Sequence, residues 1–240
     1  MQHYFLEKNH EELCLQESDI HHVLHVMRMK DNDKIIGIYA GKQYLCSLSI
    51  KNNSIKLLIE KELAINNENE KKIILYQAVI KNDKFDLIVQ KACELGVDSL
   101  VPTIFKYSVV NVQGKEDNKI KRYNKIIKEA CEQSHRNNLM KIENYINLKD
   151  IKINEDTLAL MAYENEQENI LSEKLNFDNY KNIAILIGPE GGISSDEINY
   201  LSSLGFKSIS LGKRILRSET AAICSLSIIN YLLEAKNYGK

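Results

Sequence analysis

Short apolar runs of strand length recur along the 240-residue chain, and what separates them changes character about a third of the way in. In the first part, "SDIHHVLHVMRMK" places its apolar positions at helical spacing and predicts one helix with Ser18 or Asp19 as N-cap. The following "KIIGIYAGKQYLCSLSIKNNSIKLLIEKEL" is a set of β-branched and aromatic runs broken at Ala40-Gly41 and Asn52-Asn53. That pattern predicts a small β-rich module, open sheet or barrel. The polar stretch "NNENEKK", Asn66 to Lys72, then reads as a linker, which divides the chain into residues 1–70 and 71–240.

Beyond the linker, strands alternate with helices. "IILYQAVI", "SLVPTIF", "TLALMAY" and "NIAILIG" are apolar runs of strand length. Between them, "DKFDLIVQKACELG" sets Phe85, Ile88, Ala92 and Leu95 on one helical face and stops at Gly96, a residue suited to the left-handed position past a helix end. "DNKIKRYNKIIKEACEQSHR" does the same with Ile120, Tyr123, Ile127, Ala130 and Cys131. Runs apolar on both faces and joined by helices imply an α/β domain with a mostly parallel sheet covered on both sides.

Charge and cysteine content narrow the classes. With a net charge of -1, no global cationic field draws the chain onto nucleic acid, so any such contact has to come from local patches. The five cysteines are far apart and never form a C-x-x-C pair, which argues against a disulfide framework or zinc site and for a reducing cytoplasm. The start of the chain, "MQHYFLEKNHEEL", has no apolar signal core, and no apolar run is long enough to span a bilayer, so no membrane association is expected.

Two turns carry candidate chemistry. In "AILIGPEGGISSDEI" a buried strand ends at Gly188, a turn with three glycines follows, and Ser194 with Glu197 forms a capping box that opens a helix. Ligands of open α/β sheets sit beyond the carboxyl ends of strands, so this turn is well placed for one, although a purely structural turn fits the residues equally. Neither the dinucleotide fingerprint nor the phosphate loop can be threaded through it. The second turn is "LGKRILRSETAAICSLSII", from Leu211 to Ile229, with Ser218 expected as N-cap of an apolar helix. If the two turns converge, Arg214 and Arg217 face one pocket, while Lys213 reads as an ordinary surface lysine. Basic positions on "KEDNKIKRYNKIIK", namely Lys121, Arg122, Lys125 and Lys128, suit phosphates or a merely solvated face. His21 and His25 have the spacing of a metal pair, but no third ligand lies near them in sequence and a metal is not expected.

Taken in order, "HHVLHVMR", "KNDKFDLIVQKACELGVDSLVP", "EACEQSHR", "IGPEGGIS" and "LGKRILRSETA" resemble the RsmE-type 16S ribosomal RNA (uracil-N3) methyltransferases of the knotted SPOUT class. The resemblance implies an N-terminal PUA-like β-barrel for RNA binding, followed by a SPOUT α/β domain with a C-terminal trefoil knot. It implies S-adenosyl-L-methionine as cofactor, a homodimer with active sites at the subunit interface, and the assembled small ribosomal subunit as substrate. The chain departs from the family at Asn32, where glycine is usual, at His135 and Tyr107, and conservatively at Ile193 and Ser218.

On that resemblance, the cofactor lies against backbone amides of Met161, Ala162 and Tyr163, extending to Glu164, of Gly188, Pro189, Glu190, Gly191 and Gly192, and of the segment from Leu211 and Gly212 to Ile215 and Leu216. Glu190 either serves the cofactor or completes the turn. Arg217 is the expected cationic donor to the reacting base, with Arg136 from a partner subunit second, and Glu219 is a base or an orienting partner for an arginine. RNA phosphates are assigned to His22, Arg28, Lys121, Arg122 and Lys125. Two rivals stand beside this reading: the same fold methylating another base or a ribose 2′-hydroxyl, and a ribosome-assembly factor that binds RNA without catalysis.

Overall fold

The computed structural model describes residues 1–52, 54–108, 110, 114–166, 169, 171 and 177–238. The chain divides into two compact units, one of residues 1–68 and 128–139, the other of residues 69–127 and 140–240. The return of 128–139 to the first unit has no counterpart in the linear pattern.

The first unit contains strands β1 (His3–Phe5), β2 (Glu7–Asn9), β3 (Glu12–Cys14), β4 (Lys34–Tyr39), β5 (Lys42–Lys51) and β6 (Ser54–Leu63). Four of them form a sheet in the order β1, β4, β5, β6, and β2 pairs with β3 as a separate hairpin. Leu6, Leu15, Val23, Ile35, Cys46, Leu48 and Leu57 fill its core. The break at Ala40-Gly41 is a two-residue loop with φ of 51° and 78°, and positive φ at both positions matches the right-handed twist of the paired strands. Asn32 takes φ 69°, the left-handed conformation that asparagine tolerates.

The first helix differs from its expectation. Helix α1 spans Glu17–His21 with Gln16 as N-cap, and a wider turn follows over His22–Val26. Neither Ser18 nor Asp19 caps it, because Asp19 is buried and its carboxylate pairs with Lys128. The helix stops before Arg28, whose φ of 52° cannot continue it.

Within the same unit His3 stacks on His135, with ring centroids 3.7 Å apart. Burial, then the facing His135, pushes the His3 imidazolium from 6.5 down to about 4. A group that binds its proton less readily when folded contributes stability that is fully present above its unfolded value and is lost as pH falls toward the folded one. Unfolding midpoints in urea are therefore expected to fall between pH 6.5 and about 4, with His3 contributing on the order of 1 kcal/mol after solvent screening. A His3→Gln variant whose midpoint falls as steeply over that window removes His3 as the cause.

The second unit is built on a parallel sheet. Its strands are β7 (Lys72–Ala78), β8 (Ser99–Ile104), β9 (Lys141–Ile142), β10 (Ile146–Asn147), β11 (Thr157–Ala162), β12 (Asn182–Ile187) and β13 (Lys207–Ile209). They run in the order β10, β8, β7, β12, β11, β13, with β9 also on β8, and every pairing is parallel. Helices α2 (Asn82–Glu94), α4 (Ser195–Ser203) and α5 (Ser218–Tyr238) lie in this unit, and α3 (Glu116–Gln133) runs from it into the first.

One face of the sheet packs Tyr76, Ala78, Val101, Ala159, Met161, Ala184 and Leu186 with Leu201 and Phe206. Alternate residues such as Ile183, Ile185 and Ile187 are also buried, as period two requires of a strand covered on both sides. Helices α2 and α5 pack together, and α5 lies on β12. Helix α2 ends as its glycine predicts: Gly96 has φ 77°, its N–H donates to Cys93 O at 3.2 Å, and Val97 N–H donates to Ala92 O at 2.9 Å. No helix among the described residues is long and apolar enough to cross a membrane.

Candidate active site

Strands β12, β11 and β13 lie side by side, and because they are parallel all three release the chain at the same edge of the sheet. A cavity of about 460 Å³ lies among the three turns that follow them, a size that suits a single drug-sized organic ligand. Ala162 to Glu164 line it from β11, Ile187 to Ile193 from β12, and Ser210 to Ser218 from β13, with Ala221 of α5. The turns after β12 and β13 thus converge, which is the condition under which the sequence sets Arg214 and Arg217 at one pocket.

The turn after β12 is fixed at both ends. Ser194 Oγ accepts Glu197 N–H and Glu197 Oε2 accepts Ser194 N–H at 2.9 Å, so the predicted capping box is formed. The other oxygen of Glu197 accepts Lys106 N–H at 2.7 Å. Gly192 N–H donates to Pro189 O at 3.0 Å and Gly192 has φ 78°, which a side chain would strain. A Cβ on Gly191 would stand 3.1 Å from Tyr107 Cβ, and one on Gly188 would overlap Ile193.

Ser218 does not act as the N-cap of α5. It is the first residue of that helix; its hydroxyl donates to Gly188 O at 2.8 Å and accepts Gln77 Nε2 at 3.0 Å. The helix start is thereby tied to the glycine turn and to β7, and the tie draws Ser218 inside the helix. Lys213 also departs from expectation: it is exposed, but it lines the cavity beside Arg214 and Arg217. Neither arginine is engaged in an ion pair among the described residues. The cavity mouth therefore carries three cations, with aliphatic Ile215 84% exposed among them.

The other expected residues fall as follows. The side chain of Met161 lies in the core, which leaves only its backbone for the expected contact. Glu219 stands in the first turn of α5, not on the cavity lining, and its Oε1 is 3.5 Å from Lys84 Nζ. Glu190 pairs with the same ammonium, which the paired carboxylate holds above the ordinary lysine range. Lys84 is invisible in the sequence because a single lysine in a helix's first turn carries no signal. Gln77 is hidden within an apolar run, where one polar residue among buried neighbours is the available clue.

Arg136, in the first unit, is 4% exposed and places Nε and Nη2 on Glu68, at 3.2 and 2.6 Å. Glu68 Oε1 also accepts Asn137 and Asn138 N–H at 2.7 and 2.9 Å. Of the expected phosphate ligands, Arg28, Lys121, Arg122 and Lys125 are exposed, and His22 Nδ1 is 2.9 Å from Tyr4 Oη. Arg122 pairs with Asp86, and Lys128 is engaged by Asp19 and Glu132 rather than standing in the basic face.

A parallel sheet with a cavity at its carboxyl edge is the arrangement of an α/β ligand-binding domain, and sequence comparison gives its class: residues 67–230 match the RNA methyltransferase domain. The chain is 37% identical to the ribosomal RNA small subunit methyltransferase E of Mesomycoplasma hyopneumoniae (strain 232), over 92% of this chain and 95% of that one. Identity to the enzyme of the same name from Bacillus subtilis (strain 168) is 30%, covering 98% of both. The crystal structure of ribosomal RNA small subunit methyltransferase E from Neisseria gonorrhoeae bound to S-adenosyl methionine superposes with a TM-score of 0.87 at 27% identity, covering 97% of this chain and 98% of that one. The chain belongs to the ribosomal RNA small subunit methyltransferase E family, and it is an RNA methyltransferase.

Proposed function

We propose that this protein, acting in the cytoplasm, transfers a methyl group from S-adenosyl-L-methionine to N3 of a specific uridine in 16S ribosomal RNA of the assembled small subunit. The observation that carries the reading is the single cavity wall formed by 188–193 and 210–217, which sets glycine backbone beside two arginines that have no ion pair among the described residues. The cofactor suits these residues. Gly212 has φ 111°, and a Cβ added to it would meet no atom within 4 Å, so its backbone stands open to a ligand. Ala162 and the apolar part of Ile187, Ile193 and Leu216 give the remaining lining the mixed character of a nucleoside site.

When bound, S-adenosylmethionine supplies an electrophilic methyl group. Uracil N3 carries a proton at neutral pH and would give it up to water as its bond to the methyl carbon forms and the sulfur–methyl bond breaks, with S-adenosylhomocysteine leaving, so negative charge grows on the ring oxygens. Arg217 is assigned to those oxygens, where a preorganised cationic donor contributes about 3 to 4 kcal/mol. Alignment of the two reactants by the turns contributes roughly 7 to 11 kcal/mol. Arg136, with its guanidinium on Glu68, is assigned instead to holding residues 136–138 in place. Glu219, near the cavity but not on it, is assigned an orienting role.

Arg28, Lys121 and Lys125, all exposed, are assigned to RNA phosphates together with His22 and Arg122. We read the first unit as a PUA-like barrel, a reading supported by β3 lying against β6 beside the four-stranded sheet. We read the SPOUT domain as closing in a trefoil knot. In support, Ser210 N–H donates to Asn169 O at 2.7 Å and Leu171 N–H to Ser210 O at 3.4 Å, which lays the turn after β13 against an earlier loop. A homodimer is in keeping with Tyr231 on α5, 70% exposed, and with Ile215. Incubating purified protein with unmodified small subunits and methyl-labelled S-adenosylmethionine, then digesting the RNA to nucleosides, is expected to yield labelled N3-methyluridine. Label in a ribose or another base, or no label, would sink this reading.

A further inference from the structure

Three segments far apart in sequence meet at Lys84. It stands in the first turn of α2, which is not part of the cavity wall, and its ammonium reaches Glu190 in the glycine turn and Glu219 in the first turn of α5. The side chains of Lys84 and Glu219 are 24% and 14% exposed, so the charges are only partly screened by water. Two carboxylates within reach of one nitrogen repel each other once that nitrogen is gone. They sit on segments that both contribute to the cavity: Glu190 lines it, and Ser218 and Ala221 flank Glu219. Glu219 Oε1 faces the ammonium, whereas Oε2 is buried and has no hydrogen-bond partner among the described residues. A buried carboxylate oxygen left without a donor is costly, so the placement of Glu219 depends on the contact its other oxygen makes with Lys84.

We propose that Lys84 is a positioning residue: by pairing with Glu190 and Glu219 it fixes the glycine turn to the start of α5 and so holds the two segments of the cavity in register. The proposal rests on the methyltransferase reading for its rate arm and on geometry alone for its binding arm. Lys84 acts through the two glutamates and touches neither cofactor nor base.

The test compares Lys84→Met, Lys84→Arg, Glu190→Gln and the Lys84→Met/Glu190→Gln double variant in the full chain. Calorimetric affinity for S-adenosylhomocysteine and the single-turnover rate on small subunits are measured for each. Lys84→Met is expected to weaken affinity about 10-fold and to slow the single-turnover rate at saturating cofactor by about 100-fold, because misalignment costs rate beyond binding. Lys84→Arg keeps the charge and is expected to recover affinity to within about three-fold. The double variant is expected to bind no more weakly than Lys84→Met, since the two residues act as one pair. Affinity and rate both within two-fold of wild type in Lys84→Met would overturn the proposal, as would strictly additive losses in the double variant. If wild-type protein binds S-adenosylhomocysteine yet labels no uridine, the acceptor reading fails, while the affinity comparison still decides the role of Lys84.

Discussion

Replacing Arg217 by alanine is expected to lower the rate of methyl transfer about 100- to 1,000-fold at saturating cofactor and RNA, the loss typical of one preorganised donor to developing charge. Arg217 lines the cavity, is exposed, and has no ion pair among the described residues, so removing it neither orphans a partner nor opens the core. Cofactor affinity and the unfolding midpoint are therefore expected to stay near wild type. The measurement is a single-turnover rate beside a calorimetric titration with S-adenosylhomocysteine. A variant that keeps full activity removes Arg217 from its role, and one that loses affinity and rate in equal proportion makes it a cofactor ligand. Arg214 gives an internal comparison: it lines the same cavity from earlier in the same turn, and a smaller effect there would show that position and not charge alone matters.

The second large effect is expected at Gly192. Its φ of 78° costs a residue with a side chain about 1 to 2 kcal/mol, and valine, branched at Cβ, stands at the upper end. A Cβ there would also stand 3.0 Å from Glu164 Oε1, and Glu164 lines the cavity. Gly192→Val is therefore expected to weaken S-adenosylhomocysteine binding by about 100-fold or more, because both walls of the site move. Gly205 separates backbone strain from site geometry. It has φ 93° with no atom within 4 Å of an added Cβ, and it does not line the cavity. Gly205→Val is expected to lower the unfolding midpoint and leave cofactor affinity unchanged. Equal affinities in the two variants would mean that the Gly192 turn does not shape the cofactor site.

Much of the second unit was legible because strands buried on both faces leave a strong one-dimensional trace. "TLALMAY" and "NIAILIG" became β11 and β12 nearly to the residue, and Gly96 ended α2 as a left-handed residue past a helix end has to. The capping box at Ser194 was legible for a similar reason, since its partners are three residues apart. Local chemistry was misread where a distant partner outbid it. Asp19 pairs with Lys128 instead of capping α1, and Ser218 bridges Gly188 and Gln77 instead of capping α5.

The sequence by itself thus determined the alternation of strands and helices, the glycine-rich turn at 188–192 and the turn at 211–217 with its arginines. Each of these is written in neighbouring residues, through hydrophobic period, turn conformation and capping. Tertiary structure alone decided that residues 128–139 join the first unit, that Lys213 lines the cavity, and that Arg136 is held by Glu68. It alone brought Lys84 to Glu190 and Glu219, across separations of more than a hundred residues. The physical reason is that an ion pair or a cavity wall depends on where parallel strands release the chain in space, and strand order, here β12, β11, β13, leaves no periodic trace in the residues that follow.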